Sequence, residues 1–415
     1  MVRIPQKSSV GLGVRINLGD QSDDLIIKAD IQIRSTDWDA IWAEGFNQSI
    51  TVAGYVRGAL DGIDLLDSGY NQSITIKAGG RVQGGNDAVR IDGEGWTITN
   101  AGTMIGGRYG INVQADGIAL CRIINSGQIT TGDASISLEG PANIRLVNSG
   151  DIRSSGMDVY DGDSGRDLIR NTGRMVGRIQ LDDGNDVYDG FQGRVNGLIN
   201  GGEGNDRIVL GKGADAMHGG NGLDTLDYRK YASVVVSMDG DFANAGGAKG
   251  DTFVSIERIF GSAKGNDRLG GGAFADDLRG FGGADRINGD EGNDRIYGGT
   301  GRDTLTGGAG LDDFVFASIK DIGDVITDWS SGPVLGVDQI YINSNFGGGL
   351  VDGLLDPSQF RAKAGANAVD ANDRFIYDTT TKKLWFDADG KGATKAVMVA
   401  LVQGDAMTYD DIIIF

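Results

Sequence analysis

The stretch GGTGRDTLTGGAGLDDFV (298–315) is two consecutive nine-residue units of one form, G-G-x-G-x-D-x-U-x, with U a large apolar residue. Working outward, the same frame stands in GGEGNDRIV (201–209) and GGNGLDTLD (219–227). Its aspartate recurs at a step of nine through Asp267, Asp276, Asp285, Asp294, Asp303 and Asp312, and earlier through Asp206, Asp215 and Asp224. A flexible Gly/Asp linker has the same composition. It does not place an apolar residue two positions after each of these aspartates, as Ile208, Met217, Leu226, Leu269, Leu278, Ile287, Ile296, Leu305 and Phe314 are placed.

Each unit supplies a short strand (x-U-x) and a tight glycine turn, so two units make one coil of about 18 residues in a parallel β-roll. Coils stack at about 4.8 Å. Asp267, Asp285 and Asp303 then line one edge, and Asp276, Asp294 and Asp312 the other. Carboxylates about 5 Å apart repel by about 3 kcal/mol at an effective dielectric of 20, and a divalent cation between them reverses the sign. Glycine lets the backbone carbonyls turn towards such an ion. A site of carboxylate and carbonyl oxygens suits Ca²⁺. The candidate ligands are these nine aspartates together with Gly201, Gly202, Gly204, Gly219, Gly220, Gly222, Gly298, Gly299, Gly301, Gly307, Gly308 and Gly310. LGKGADAMH (210–218) and GGAFADDLR (271–279) depart from the frame, which weakens the expectation of an ion there.

The first half carries a wider period. ITNAGTMI, IINSGQI, LVNSGDI and IRNTGRM place Asn100, Asn125, Asn148 and Asn171 at steps of 25, 23 and 23, and NQSIT recurs at 47–51 and 71–75. Short β-branched pieces between Gly/Asn turns at this period predict a right-handed parallel β-helix with three strands per coil, its asparagines hydrogen-bonded in a ladder. A β-sandwich is the alternative. The spacing of Asp167, Asp186, Asp206 and Asp224 (19, 20 and 18) predicts that the coil tightens within one continuous solenoid. Asp167 and Asp186 are further candidate ligands, with the solvated turn as the competing reading, and Asp251 in GGAKGDTFV is another candidate.

The chain has 415 residues, 71 of them glycine and 4 proline, and a net charge of −20. That charge disfavours nucleic acid and anionic membrane as partners. No segment reaches the roughly 18 apolar residues of a membrane span, so the expectation is a soluble chain that is not an integral membrane protein. The one cysteine, Cys121, lies in apolar IALCRII and reads as a core residue. The N-terminus, MVRIPQKSSVGLG, has no apolar stretch to act as a signal peptide.

Residues 201–415 resemble the RTX family of secreted, hemolysin-type calcium-binding proteins, and specifically the C-terminal region of its serralysin-like members. The nonapeptides carry the resemblance. So do the interruption between LDYRKYASVVVSMDGDF and GDTFVSIERIFGSAKGNDRL, the run DFVF, DVITDWSSG, DQIYI and DRFIYDTTTKKLWFDADGKG, and the terminal DDIIIF. The resemblance implies an uncleaved C-terminal signal read by a type I secretion apparatus, and folding outside the cell where calcium is abundant. It does not imply the family's protease. That activity needs an H-E-x-x-H zinc motif, and the single histidine, His218, sits in a degenerate repeat and reads as a turn residue. Nor is the catalytic motif of the β-helical alginate epimerases found in 1–200. FDADGKG (386–392) reads as a hairpin turn in preference to an ion site.

The fold expected is therefore all-β: a right-handed parallel β-helix running into a calcium-binding parallel β-roll, plus a C-terminal β-rich unit. Its parts are an N-terminal cap at 1–40, the β-helix at 41–200, the β-roll at 201–315 interrupted at 228–261, and the C-terminal region at 316–415. The function expected is a secreted, extracellular calcium-binding protein whose roll folds on binding several Ca²⁺ ions. Its solenoid would present a surface to an extracellular polysaccharide, another partner or further copies of itself. The alternatives are a polysaccharide lyase or epimerase, for which Arg108 with Tyr109 or Arg145 with Asp151 are conceivable site pairs, and a self-assembling surface-layer protein.

Overall fold

The computed structural model describes residues 2–11, 16–18, 22–65, 71–115, 117–331, 337–365 and 367–415. The quoted stretches MVRIPQKSSVGLG and DVITDWSSG therefore run partly outside the described residues. The chain is nearly all β, with parallel strands in a solenoid of the β-helix and β-roll kind. It divides into two compact units, one of residues 1–224 with 251–255, the other of 225–250 with 256–415.

The first unit is built from coils of three short strands, such as Ser49–Val52, Tyr55–Arg57 and Ile63–Leu65. Strands with one residue in, one residue out stack in register because the inward column is uniformly apolar. Ile50, Ile74, Ile98, Ile123, Leu146, Ile169, Tyr188 and Ile208 pair in succession and are all buried. Their steps shrink from 24, 24, 25, 23 and 23 to 19 and 20. Cys121 is fully buried within this stack, as its setting indicates.

The asparagine ladder is present. Asn100 Nδ2 donates to Asn125 Oδ1 at 2.8 Å, Asn125 to Asn148 at 2.8 Å and Asn148 to Asn171 at 2.9 Å. The ladder ends where the coil tightens, with Asn171 Nδ2 donating to the Tyr188 hydroxyl at 3.3 Å.

The N-terminal cap drawn at 1–40 is corrected. Asp24–Ile27 pairs with Ser49–Val52, and Gln32–Ser35 with Tyr55–Arg57, in the register of every later coil. The buried Leu25, Ile27 and Ile33 already carry the inward alternation, so this stretch is a full coil of the solenoid.

The second unit holds two parallel ladders. One runs Thr225–Asp227, Arg258–Phe260, Asp277–Arg279, Arg295–Tyr297, Asp313–Phe316, Gln339–Ile342 and Ile412–Ile414. The other runs Val234–Ser237, Arg268–Gly270, Arg286–Glu291, Thr304–Ala309, Asp324–Trp329 and Val397–Gly404. The U residues fill a thin interior: Leu269, Leu278, Ile287, Ile296, Leu305 and Phe314 are each at most 2% exposed. Within the interrupted span, Val234–Ser237 is itself a rung of a ladder. The terminal Ile412–Ile414 is a strand, with Ile412 and Ile414 buried. Lys383–Phe386 and Val397–Gly404 pair antiparallel around FDADGKG, the hairpin expected there.

Candidate metal sites

In the narrow coils each repeat's aspartate sits immediately before its strand, at the glycine turn. One carboxylate oxygen is fixed by the backbone. Asp267 N–H donates to Asp285 Oδ1 at 2.8 Å and Asp285 N–H to Asp303 Oδ1 at 2.7 Å. On the opposite edge Asp276 donates to Asp294 at 2.9 Å and Asp294 to Asp312 at 2.9 Å. In the first unit Asp167 donates to Asp186, Asp186 to Asp206 and Asp206 to Asp224 at 2.7, 2.8 and 2.8 Å, and Asp215 to Asp251 at 3.0 Å. All twelve aspartates named from the sequence are thus rungs of such ladders.

The second oxygen divides them. Oδ2 of Asp186, Asp206, Asp285, Asp294, Asp303 and Asp312 is buried and has no hydrogen-bond partner among the described residues. A buried carboxylate oxygen left in this condition is costly. In all of these but Asp186, whose repeat has Leu181 at that place, the space it faces lies over the first glycine of the repeat. A Cβ added to Gly201, Gly280 or Gly289 would come within 3.0 Å of Oδ2 of Asp206, Asp285 or Asp294. It would also come within 3.0 Å of the carbonyl oxygen of Gly219, Gly298 or Gly307, one coil further on. Gly298 and Gly307 stand in the same way against Asp303 and Asp312, and Gly219 against Asp224. At Gly201, Gly280 and Gly289 a carboxylate oxygen thus meets a carbonyl oxygen of the next coil, donors of the kind a hard cation takes. The second and third glycines shape the turn. Gly202, Gly204, Gly220, Gly222, Gly299, Gly301, Gly308 and Gly310 turn the chain at positive φ, hard against a carbonyl of the preceding coil.

Other rungs have both oxygens in protein hands or nearly so. Ser262 occupies the first-glycine place before Asp267, and its N–H and hydroxyl donate to that carboxylate at 2.6 and 3.0 Å. Asp276 Oδ2 accepts from Gly272 N–H at 2.7 Å, Asp215 Oδ2 from Gly211 N–H at 3.0 Å, and Asp167 Oδ2 from the Tyr160 hydroxyl at 2.5 Å. In the two degenerate repeats a backbone donor thus covers Oδ2, although Oδ1 of Asp215 is buried without a hydrogen-bond partner among the described residues.

The ladders also extend past the frame. Asp303 N–H donates to Asp324 Oδ1 at 2.9 Å and Asp312 N–H to Asp338 Oδ1 at 3.2 Å. These rungs stand at steps of 21 and 26, so the period of 18 does not reveal them. Asp312 consequently has a ladder neighbour on both sides. Gly280 and Gly289 were missed for a simpler reason. Their repeats, GFGGADRIN and GDEGNDRIY, break the double glycine but keep glycine five residues before the aspartate.

Without a cation, burial pushes these carboxyls up, and neighbouring carboxylates add to the effect. Asp186 rises to about 8, Asp206, Asp285 and Asp294 to about 7, and Asp303 and Asp312 to about 6.

In one of the pairs suggested for polysaccharide chemistry the side chains meet, Arg108 Nη2 donating to the Tyr109 hydroxyl at 2.9 Å. Asp151 is bound by Arg153 Nε at 2.8 Å, not by Arg145, and Arg108 lies over the ring of its own neighbour Tyr109 at 4.7 Å. His218 is on the strand Ala216–Asn221, not in a turn.

The model of the RTX calcium-binding nonapeptide repeat matches in four copies, over residues 196–226, 263–296 and 288–317. A search of the curated proteins finds no match. The matched stretches contain every aspartate of the frame, and repeats of this kind bind Ca²⁺.

Proposed function

We propose that this chain, which belongs to the RTX hemolysin-type calcium-binding family, is a secreted protein whose nonapeptide coils complete their folding by taking up Ca²⁺. Asp206, Asp285, Asp294, Asp303 and Asp312 hold the ions through Oδ2, with the carbonyls of Gly219, Gly298 and Gly307 completing the oxygen set. Asp186 precedes Asp206 and Asp224 follows it in one ladder, Asp251 follows Asp215 in another, and Asp167, Asp215, Asp267 and Asp276 act mainly as backbone anchors. The observation that carries this reading is the buried, unsatisfied carboxylate oxygen over Gly201, Gly280, Gly289, Gly298 and Gly307.

An ion there does for each rung what no protein donor does, so binding energy becomes folding energy. Extracellular calcium modules bind at about 10⁻⁴–10⁻³ M, far above the calcium of a cytosol. The coils would stay unfolded inside the cell, in the state a type I secretion apparatus exports, and fold outside. The first unit, with its self-sufficient asparagine ladder, presents the solenoid surface to an extracellular polysaccharide or to other copies. The test is circular dichroism of the full chain in EDTA and during a calcium titration. A cooperative gain of β signal at millimolar calcium is expected, and a spectrum unchanged between the two conditions would falsify the proposal.

A further inference from the structure

The strand Ile63–Leu65 breaks its own pattern. Ile63 and Leu65 face the solenoid interior, so Asp64 points to the outside of its sheet, yet it is only 4% exposed. Two further aspartates meet it there. Asp39 and Asp61 are 5 and 7% exposed, and one carboxylate oxygen from each of the three lies within 4.8 Å of the others. The nonapeptide frame has no part in this cluster, which belongs to the first unit and lies far along the chain from the repeats.

Two of the carboxylates are fixed by the backbone. Asp39 Oδ1 accepts from Asp61 N–H at 2.9 Å, and Asp61 Oδ1 accepts from Asp87 N–H at 2.9 Å. Asp64 is different. Its Oδ1 is buried with no hydrogen-bond partner among the described residues. Arg90, its register partner on the next strand, acts on this carboxyl through its charge, but its hydrogen bond is made elsewhere. Its NH2 donates to Gln114 at 3.0 Å, and its Nε stands 3.8 Å from Asp92. Three carboxylates are crowded here out of water, and Asp64 brings to them a buried oxygen that no donor among the described residues meets. Oxygens mutually within 4.8 Å can all reach one ion at the 2.3–2.6 Å typical of Ca²⁺.

We infer that Asp39, Asp61 and Asp64 form a separate binding site for a hard divalent cation, Ca²⁺ by its oxygen-only donors, that pins the early coils of the first unit. The site joins three successive pieces of chain: the loop before Ile41–Ala43, the loop before Ile63–Leu65, and that strand itself. It does not depend on the reading of the nonapeptide coils.

The test uses the full chain. Bound calcium is counted at saturation by equilibrium dialysis for the parent protein and for Asp64→Asn, which keeps shape and removes charge. The expected result is one equivalent fewer per chain in the variant, with the nonapeptide transition at an unchanged calcium midpoint. An equal count overturns the inference, and so would mean that the trio holds protons instead. A second measurement leaves the trio intact. Trp42 is paired with Asp64 across adjacent strands, close enough to sensitise terbium luminescence from an ion at the site. Trp42→Phe is expected to remove a component of tryptophan-excited terbium emission, and emission of undiminished intensity counts against the site.

Discussion

The wide coils and the narrow coils solve one problem with two side chains that differ by a single group. Both run a column of buried polar residues along the stack. In the wide coils the column is asparagine, which donates through Nδ2 and accepts through Oδ1, so each rung satisfies the next and none needs outside help. In the narrow coils it is aspartate, which only accepts. The backbone N–H of one rung meets Oδ1 of the next, and Oδ2 of Asp285, Asp294, Asp303 and Asp312 remains unmet. An amide ladder is complete as protein. A carboxylate ladder is complete only with cations.

The largest test of that contrast is removal of calcium. In EDTA, hydrogen exchange of peptides spanning 263–317 should rise to near that of an unfolded chain, while peptides spanning 97–171 keep their protection. Equal protection in both regions would erase the distinction.

A smaller effect comes from moving one chemistry into the other. Asn148→Asp removes the donor to Asn171 Oδ1 and puts a charge where no cation space exists. It should destabilise the first unit by about 3 kcal/mol, read as a lower thermal midpoint that millimolar calcium does not restore. Rescue by calcium would show that any carboxylate column recruits ions.

The third test is pH. Asp285 and Asp294 are pushed up to about 7 by burial, from an ordinary value of about 3.9. A raised carboxyl favours the protonated folded form. The contribution to cation-free stability is therefore full below about 4 and lost as pH rises through about 7. Calcium has to displace those protons, so the calcium midpoint should fall between pH 6 and pH 8. A midpoint independent of pH across that range contradicts the assignment.

The finest test concerns neighbours. Because Asp338 follows Asp312 in its ladder, Asp312→Ala should raise the calcium midpoint by about the same factor as Asp285→Ala. A much smaller shift for Asp312→Ala would restore it as the end of the column.

Much of this was legible in the chain because a solenoid writes its three-dimensional neighbours as a period. The nine-residue step places Asp267 over Asp285, and the step of 23 to 25 gives the asparagine ladder before any coordinates. What stayed hidden has no period. Ser262 removes the open oxygen at Asp267 through contacts that a spacing rule does not register. Asp324 and Asp338 join at irregular steps because the connections before them lengthen while the strand register persists. Asp39, Asp61 and Asp64 look like scattered surface charges until the coils bring them together. Residues 1–40 read as a cap because their motif is weak, although Leu25, Ile27 and Ile33 already carry the inward pattern.

The backbone-to-carboxylate bonds also have a sense. In the narrow coils each aspartate receives the amide of the coil before it: Asp285 receives Asp267, and Asp303 receives Asp285. Near the start of the chain the sense is reversed, since Asp39 receives Asp61 and Asp61 receives Asp87. In the narrow coils, then, a carboxylate that loses its ion weakens its hold on the amide of the preceding coil. In the earliest wide coils the amide held is that of the following coil.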